Sequence, residues 1–202
     1  MLDTEKPIIR LWGEVGKSFG YDIPPELVIR TLGIDSNGTR SIIMAEFGPE
    51  FPYDDIRNEI RRLFNEETER SIPHRPGLVT LLEHLSSRKI PMAVATSTNH
   101  QSAVRKLSLA GIQDRFDAIV GGDEVSRGKP APDIFLLAAE RLGKRPSECA
   151  GFEDSSAGLQ ALHAAGIHSV FIKDQAEPPP EVLARVWRRC KDLAEAVDLF
   201  NM

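Results

Sequence analysis

Cysteine is scarce. Cys149 and Cys190 are the only two, with no CxxC and no histidine pair beside them. That pattern supports neither a disulfide framework nor a zinc site, and leaves buried or idle thiols as the expectation. Long apolar runs are missing as well. No window approaches the roughly 18–20 uninterrupted apolar residues of a membrane span. The opening MLDTEKP has neither a basic leader nor an apolar signal core. A cytoplasmic protein with no membrane partner is therefore expected. Basic clusters are absent too: 25 Lys+Arg stand against 30 Asp+Glu, for a formal charge of -5. Nucleic-acid binders concentrate positive charge on one face, so nucleic acid is not an expected partner. What remains is an ordinary globular composition over 202 residues, 41% hydrophobic, with 15 Gly and 14 Pro. That length suits one domain of moderate size or a core carrying an insertion.

The first third carries apolar residues at helical spacing over 8–19, 26–32, 39–47 and 56–64, separated by Gly, Pro and Asn. From Pro76 the rhythm changes. Short apolar runs at 91–95, 118–120, 149–152 and 169–172 alternate with helical patterns at 77–88, 101–110, 133–142 and 156–165. Such alternation predicts repeated βα units and a doubly wound parallel sheet, an α/β Rossmann-like core. The expected division is a helical domain over 5–75 and a core made of 1–4 and 76–202. Residues 71–76, with two prolines, form the expected hinge. The stretch KDQAEPPPE after Ile172 reads as a loop, because successive prolines neither pair in a ladder nor continue a helix.

Ligands of open parallel sheets bind outside the carboxyl ends of the strands, so the residues following each apolar run carry the functional question. After the first run come Thr96, Ser97, Thr98 and Asn99 at a helix start. Hydroxyls beside free N–H groups make an anion site, and plain helix capping is the alternative. After the second, Lys129 stands between prolines in GKPAPD. A stiff loop would hold its ammonium toward a phosphate; a solvated turn lysine is the alternative. The third run ends in Glu153, Asp154, Ser155 and Ser156. Paired carboxylates suit Mg²⁺, which takes few carboxylates and bridges to phosphate oxygens. An Asp N-cap explains Asp154 as well, but explains Glu153 poorly. Together the three strand ends describe one phosphate and metal site.

These residues resemble the haloacid dehalogenase superfamily, in the subgroup with a helical cap that includes small phosphatases and beta-phosphoglucomutase. Asp3-Thr4-Glu5 is similar to the end of the family's first motif, Thr96 in VATST to the second, Lys129 in RGKPAPDIF to the third, and Glu153-Asp154 in GFEDSSAG to the fourth. The resemblance implies Mg²⁺-dependent phosphoryl transfer through an aspartyl-phosphate. Thr96, Ser97 and Lys129 would hold the phosphoryl group of a small phosphorylated metabolite. Glu153 and Asp154 would hold the metal, and the cap would select the leaving group. A monomer or weak dimer is expected.

In the family, the nucleophile and the acid/base are two aspartates of a D-x-D-G pattern on a first, central strand. That pattern is not in this sequence. Asp3 is not expected to substitute, since it would have to move by about a helical turn, ~5.4 Å, more than near-attack geometry tolerates. Without the central strand its neighbours would face a gap of about two strand spacings, ~9.5 Å. The expectation is an incomplete record of a phosphatase, inactive as written. The alternatives are an inactive phosphate or phosphosugar binder, or a sugar-phosphate mutase. The last is weakened by Ile8, where mutases carry histidine. Arg40, Arg61 and Arg62 in the helical region read as solvated charges, with contact to a second anionic group of the substrate as the alternative, and His100 is not expected to touch substrate.

Overall fold

Leu11, Trp12 and Val15 form one stripe of the first helix, α1 (Glu5–Ser18), and each is at most 3% exposed. The computed structural model describes residues 1–3, 5–32, 36–70, 72–174 and 177–201. Thr4 of the expected first motif, Ser71 of the expected hinge, and Gln175 and Ala176 of the expected loop lie outside them. The chain divides into two compact units, Leu2–Pro73 and Met1 with His74–Met202.

The helical unit adds α2 (Pro25–Ile29), α3 (Ser36–Phe47) and α4 (Tyr53–Arg70); the last two cover the expected patterns, while α2 stops three residues short of the expected 26–32. Val28, Ile43, Ile56 and Ile60 are fully buried around the α1 stripe. Phe47 stacks on Phe51 at 4.9 Å between ring centroids, and Tyr21 meets Phe51 edge-on at 4.8 Å. Burial of this kind contributes about 1.5–3 kcal/mol per large apolar side chain. Packing is thus a sufficient account of the aromatic residues here.

The other unit follows the expected alternation: α5 (Leu78–Ser87), β1 (Ala93–Ala95), α6 (His100–Leu109), β2 (Ala118–Val120), α7 (Asp133–Arg141), β3 (Ala150–Glu153), α8 (Ser156–Ala165) and β4 (His168–Ile172). Among the described residues every strand pair is parallel: Val94 stands opposite Ile119, and Phe152 opposite Val170. Helices flank the strands, and Val120, Ile134, Phe135, Ala161 and Leu162 form their shared core. This is the Rossmann-like α/β arrangement expected. Among the described residues, no helix is long and apolar enough to cross a membrane.

Two features differ from expectation. Within the stretch read as a loop, the last of its three prolines opens α9 (Pro180–Leu183), because proline at a first helical position loses no hydrogen bond. A fifth strand, β5 (Arg188–Cys190), pairs with β4. Its two arginines are exposed and only Cys190 is buried, so no apolar run announces it; charge on an edge strand also discourages further pairing. The ladders form two pieces, β1-β2 and β3-β4-β5, with none between β1 and β3 among the described residues.

The carboxyl end of β2 is held by Glu124. Its carboxylate accepts from Gly121 N at 2.7 Å, sits 2.9 Å from His100 Nδ1 and pairs with Arg141. Arg141, that backbone N–H and His100 hold the Glu124 carboxyl down to about 2. A depressed carboxyl stabilises the fold above its unfolded value and loses that contribution as pH falls through the folded one. Glu124→Gln is therefore expected to cost about 1 kcal/mol at pH 7, after discounting for solvent screening. The difference should shrink between about pH 4.5 and 2, read from urea unfolding at each pH.

Candidate functional site

β1 delivers its next residue with the ladder still running, since Thr96 N donates to Val120 O at 3.0 Å. The helix that follows is capped by Asn99, whose side chain accepts from Ser102 N at 2.9 Å. Capping is thus Asn99's role, and the Thr96 hydroxyl instead accepts from Thr98 N at 3.2 Å. Ser97 is exposed and Thr96 half-buried. The end of β2 presses on this loop: Gly122 N donates to Thr98 O at 2.9 Å. A Cβ on Gly122 would stand 2.5 Å from Ser97 O, so only glycine fits there.

Lys129 is not a solvated turn residue, its side chain being 12% exposed. Its ammonium donates to Ala95 O at 3.3 Å, lies 4.7 Å from the centre of the Phe135 ring, and pairs with Glu153. Arg127 clamps the same loop through Asp133 with two bonds, 3.1 and 3.0 Å.

Glu153 closes β3 and is 9% exposed. One carboxylate oxygen takes Lys129 and the other accepts from Ser155 Oγ at 3.1 Å. The carboxylate lies directly over the start of α8, where a Cβ on Gly158 would meet Glu153 Cδ at 2.1 Å. The cap of α8 is Ser155, whose Oγ accepts from Gly158 N at 3.1 Å. Asp154 is therefore not the cap. Its carboxyl, 41% exposed, accepts from Arg75 Nη1 at 3.1 Å. Partial burial and then the Glu153 charge push it up, against the pull of the Met1 ammonium and Arg75.

The fold thus brings Lys129 and Glu153 into contact, sets Thr96 and Ser97 directly after the Ala95 carbonyl that Lys129 holds, and turns Asp154 toward Arg75. Sequence reasoning missed Arg75 and Asp174, which pair with each other at 15% exposure each; Arg75 Nη2 also donates to Lys173 O at 3.1 Å. Asp174 lies two residues beyond β4, so the rule that singled out the other strand ends would have found it. Asp3 lies in the helical unit, paired with Lys6 at 2.7 Å.

Could these residues hold Mg²⁺? The donors are hard carboxylate oxygens. Asp154 keeps a half-exposed carboxyl that its surroundings disfavour as an anion, the condition a cation relieves. No group of three or more His, Cys, Asp or Glu suited to a metal occurs among the described residues. Mg²⁺, which binds through one or two carboxylates and keeps several waters, fits such a donor set.

The parallel α/β unit thus carries hydroxyls, a buried lysine and paired carboxylates at successive strand ends. Residues 35–166 match the haloacid dehalogenase-like hydrolase family. The chain is 30% identical over 175 residues to a phosphorylated carbohydrates phosphatase of Thermotoga maritima, covering 85% of this chain and 79% of the relative. It is 34% identical over 182 residues to the fructose-1-phosphate phosphatase of Escherichia coli, covering 86% and 91%. Among solved structures, a candidate beta-phosphoglucomutase from Thermotoga maritima superposes with a TM-score of 0.82 at 27% identity, covering 99% of this chain and 93% of that one. The chain belongs to the haloacid dehalogenase-like hydrolase family.

Lys129→Met leaves Glu153 buried without its counter-charge. The expected cost is about 3–5 kcal/mol. The double variant Lys129→Met/Glu153→Gln should recover most of it, measured as a double-mutant cycle by urea unfolding.

Proposed function

We propose that the protein is a phosphatase of a small phosphorylated metabolite. The observation that carries this reading is Lys129: an almost buried ammonium, fixed at the carboxyl ends of β1 and β3 where ligands of parallel sheets bind. Burial raises the worth of its charge toward an incoming phosphate oxygen relative to a surface lysine. In this reading Lys129 neutralises the transferring phosphoryl group, the Thr96 hydroxyl orients it, and the Ser97 backbone N–H donates to it. Asp154, with Glu153, would hold Mg²⁺, whose charge would offset the repulsion between an anionic nucleophile and an anionic phosphate. Glu153 serves the site doubly, since the carboxylate on Lys129 also aims that ammonium. The helical unit is its cap, by the same resemblance. The names of the Thermotoga and Escherichia relatives support a phosphorylated sugar as the substrate class.

The route through an aspartyl-phosphate needs the D-x-D-G pair, which these 202 residues do not contain. The proposal is therefore made for a native protein that carries the pair. That same observation favours a second reading, a phosphate or phosphosugar binder with the anion site intact and no nucleophile. A sugar-phosphate mutase is a third, supported by the solved relative and weakened by Ile8.

The test joins two measurements on protein isolated from its own cells: intact mass and Mg²⁺-dependent hydrolysis of an aryl phosphate. A mass above 22.4 kDa is expected. Turnover should fall at least ~100-fold in Asp154→Asn, the scale seen when one transition-state-stabilising group is lost. A mass equal to this chain, with phosphate bound but never hydrolysed, would replace the enzyme by the binder.

A further inference from the structure

Three carboxylates stand at the ends of β3 and β4: Glu153, Asp154 and Asp174. Glu153 is matched by Lys129. The other two both reach the same guanidinium nitrogen of Arg75, Nη1, and the Met1 ammonium also acts on Asp154. The two contacts are unequal. Arg75 pairs with Asp174 through Nη1 and donates from Nη2 to Lys173 O at 3.1 Å, so the guanidinium is anchored twice on the β4 side. Its hold on Asp154, at 3.1 Å, is the outlying contact. Arg75 has no freedom to leave, because its backbone N–H donates to Met1 O at 2.9 Å, its own carbonyl accepts from Leu78 N at 3.1 Å, and its side chain is only 15% exposed.

We infer that Arg75 is a resident counter-cation that competes with a divalent cation for Asp154, and that Asp174 sets the outcome by drawing Arg75 away. Arg75 is a positioning residue in this scheme, and the inference rests on the reading of Asp154 as a cation ligand. An entering cation has only to displace the outlying contact, after which Arg75 keeps Asp174 and the Lys173 carbonyl. A guanidinium suits this better than an ammonium, since its fork serves carboxylate and carbonyl acceptors together.

The experiment is titration of Mg²⁺ into the full chain, followed by calorimetry and by the metal-induced rise in Tm. Arg75→Met should tighten Mg²⁺ binding about tenfold, the effect of removing one unit charge beside a partly solvated divalent cation. Arg75→Lys, which keeps the charge but not the fork, should fall between the parent and Arg75→Met. Asp174→Asn should weaken binding, because it releases Arg75 fully onto Asp154. In the Arg75→Met background, the same Asp174→Asn change should have little further effect. That non-additivity separates action through Arg75 from a direct contribution of Asp174 to the metal. Unchanged or weaker binding in Arg75→Met overturns the inference, as does an Asp174→Asn effect that persists undiminished without Arg75. Should Arg75→Met fail to fold, a tighter Asp174→Asn overturns it alone. Failure of the underlying reading looks different: no variant then shows Mg²⁺ binding that Asp154→Asn abolishes.

Discussion

One ammonium joins the carboxyl ends of β1 and β3, strands that share no ladder among the described residues. Lys129 donates to the last carbonyl of β1 and pairs with the last side chain of β3. Several local features follow from that placement. Glu153 must lie inward over the start of α8 to reach the ammonium, which is why position 158 has no room for a side chain. The loop before α7 must hold Lys129 from below, and the Arg127–Asp133 clamp and the Phe135 ring serve that end.

The pair is costly to build. Two charges at 12% and 9% exposure lose much of their hydration, and a buried ion pair often contributes less stability than well-packed apolar residues would. The proposed function gives the pair a purpose beyond stability. The ammonium is held at a defined point, in a medium where its field is weakly screened, before any phosphate arrives. The neighbouring acid has the opposite character: Asp154, half-exposed and pushed up by burial and by Glu153, is poised for a positive partner. Two adjacent carboxylates thus have different partners, because one faces the lysine and the other faces Arg75.

Much of this was legible in the residues. Apolar runs bounded by polar strand ends located β1 to β4 within about two residues, since strands buried by helices on their faces must be apolar. The edge strand β5 escaped, because RRC follows no such pattern and its pairing is decided by β4. Thr96, Ser97, Lys129, Glu153 and Asp154 were visible as types at strand ends, whereas their partners were not. That Glu153 takes Lys129 while Asp154 takes Arg75 depends on which way each side chain leaves the strand. Arg75 was unreadable for a further reason: it lies 79 residues from Asp154 and precedes all four apolar runs, so no local pattern connects them.

The match to a hydrolase family and the missing D-x-D-G pair are compatible once binding and bond-making are separated. Phosphate recognition needs positive charge and donors in a fixed array, and Thr96, Ser97 and Lys129 are placed by β1, β2 and β3 through backbone bonds and one ion pair. Bond-making needs a carboxylate within contact distance of phosphorus. In the proposed reading the first requirement falls to elements this chain contains, and the second to an aspartate pair that its 202 residues do not hold. An array this expensive to desolvate has little use on a surface that merely tolerates phosphate. Its cost is recovered where charge builds up during a reaction, which favours the hydrolase reading over the binder on energetic grounds.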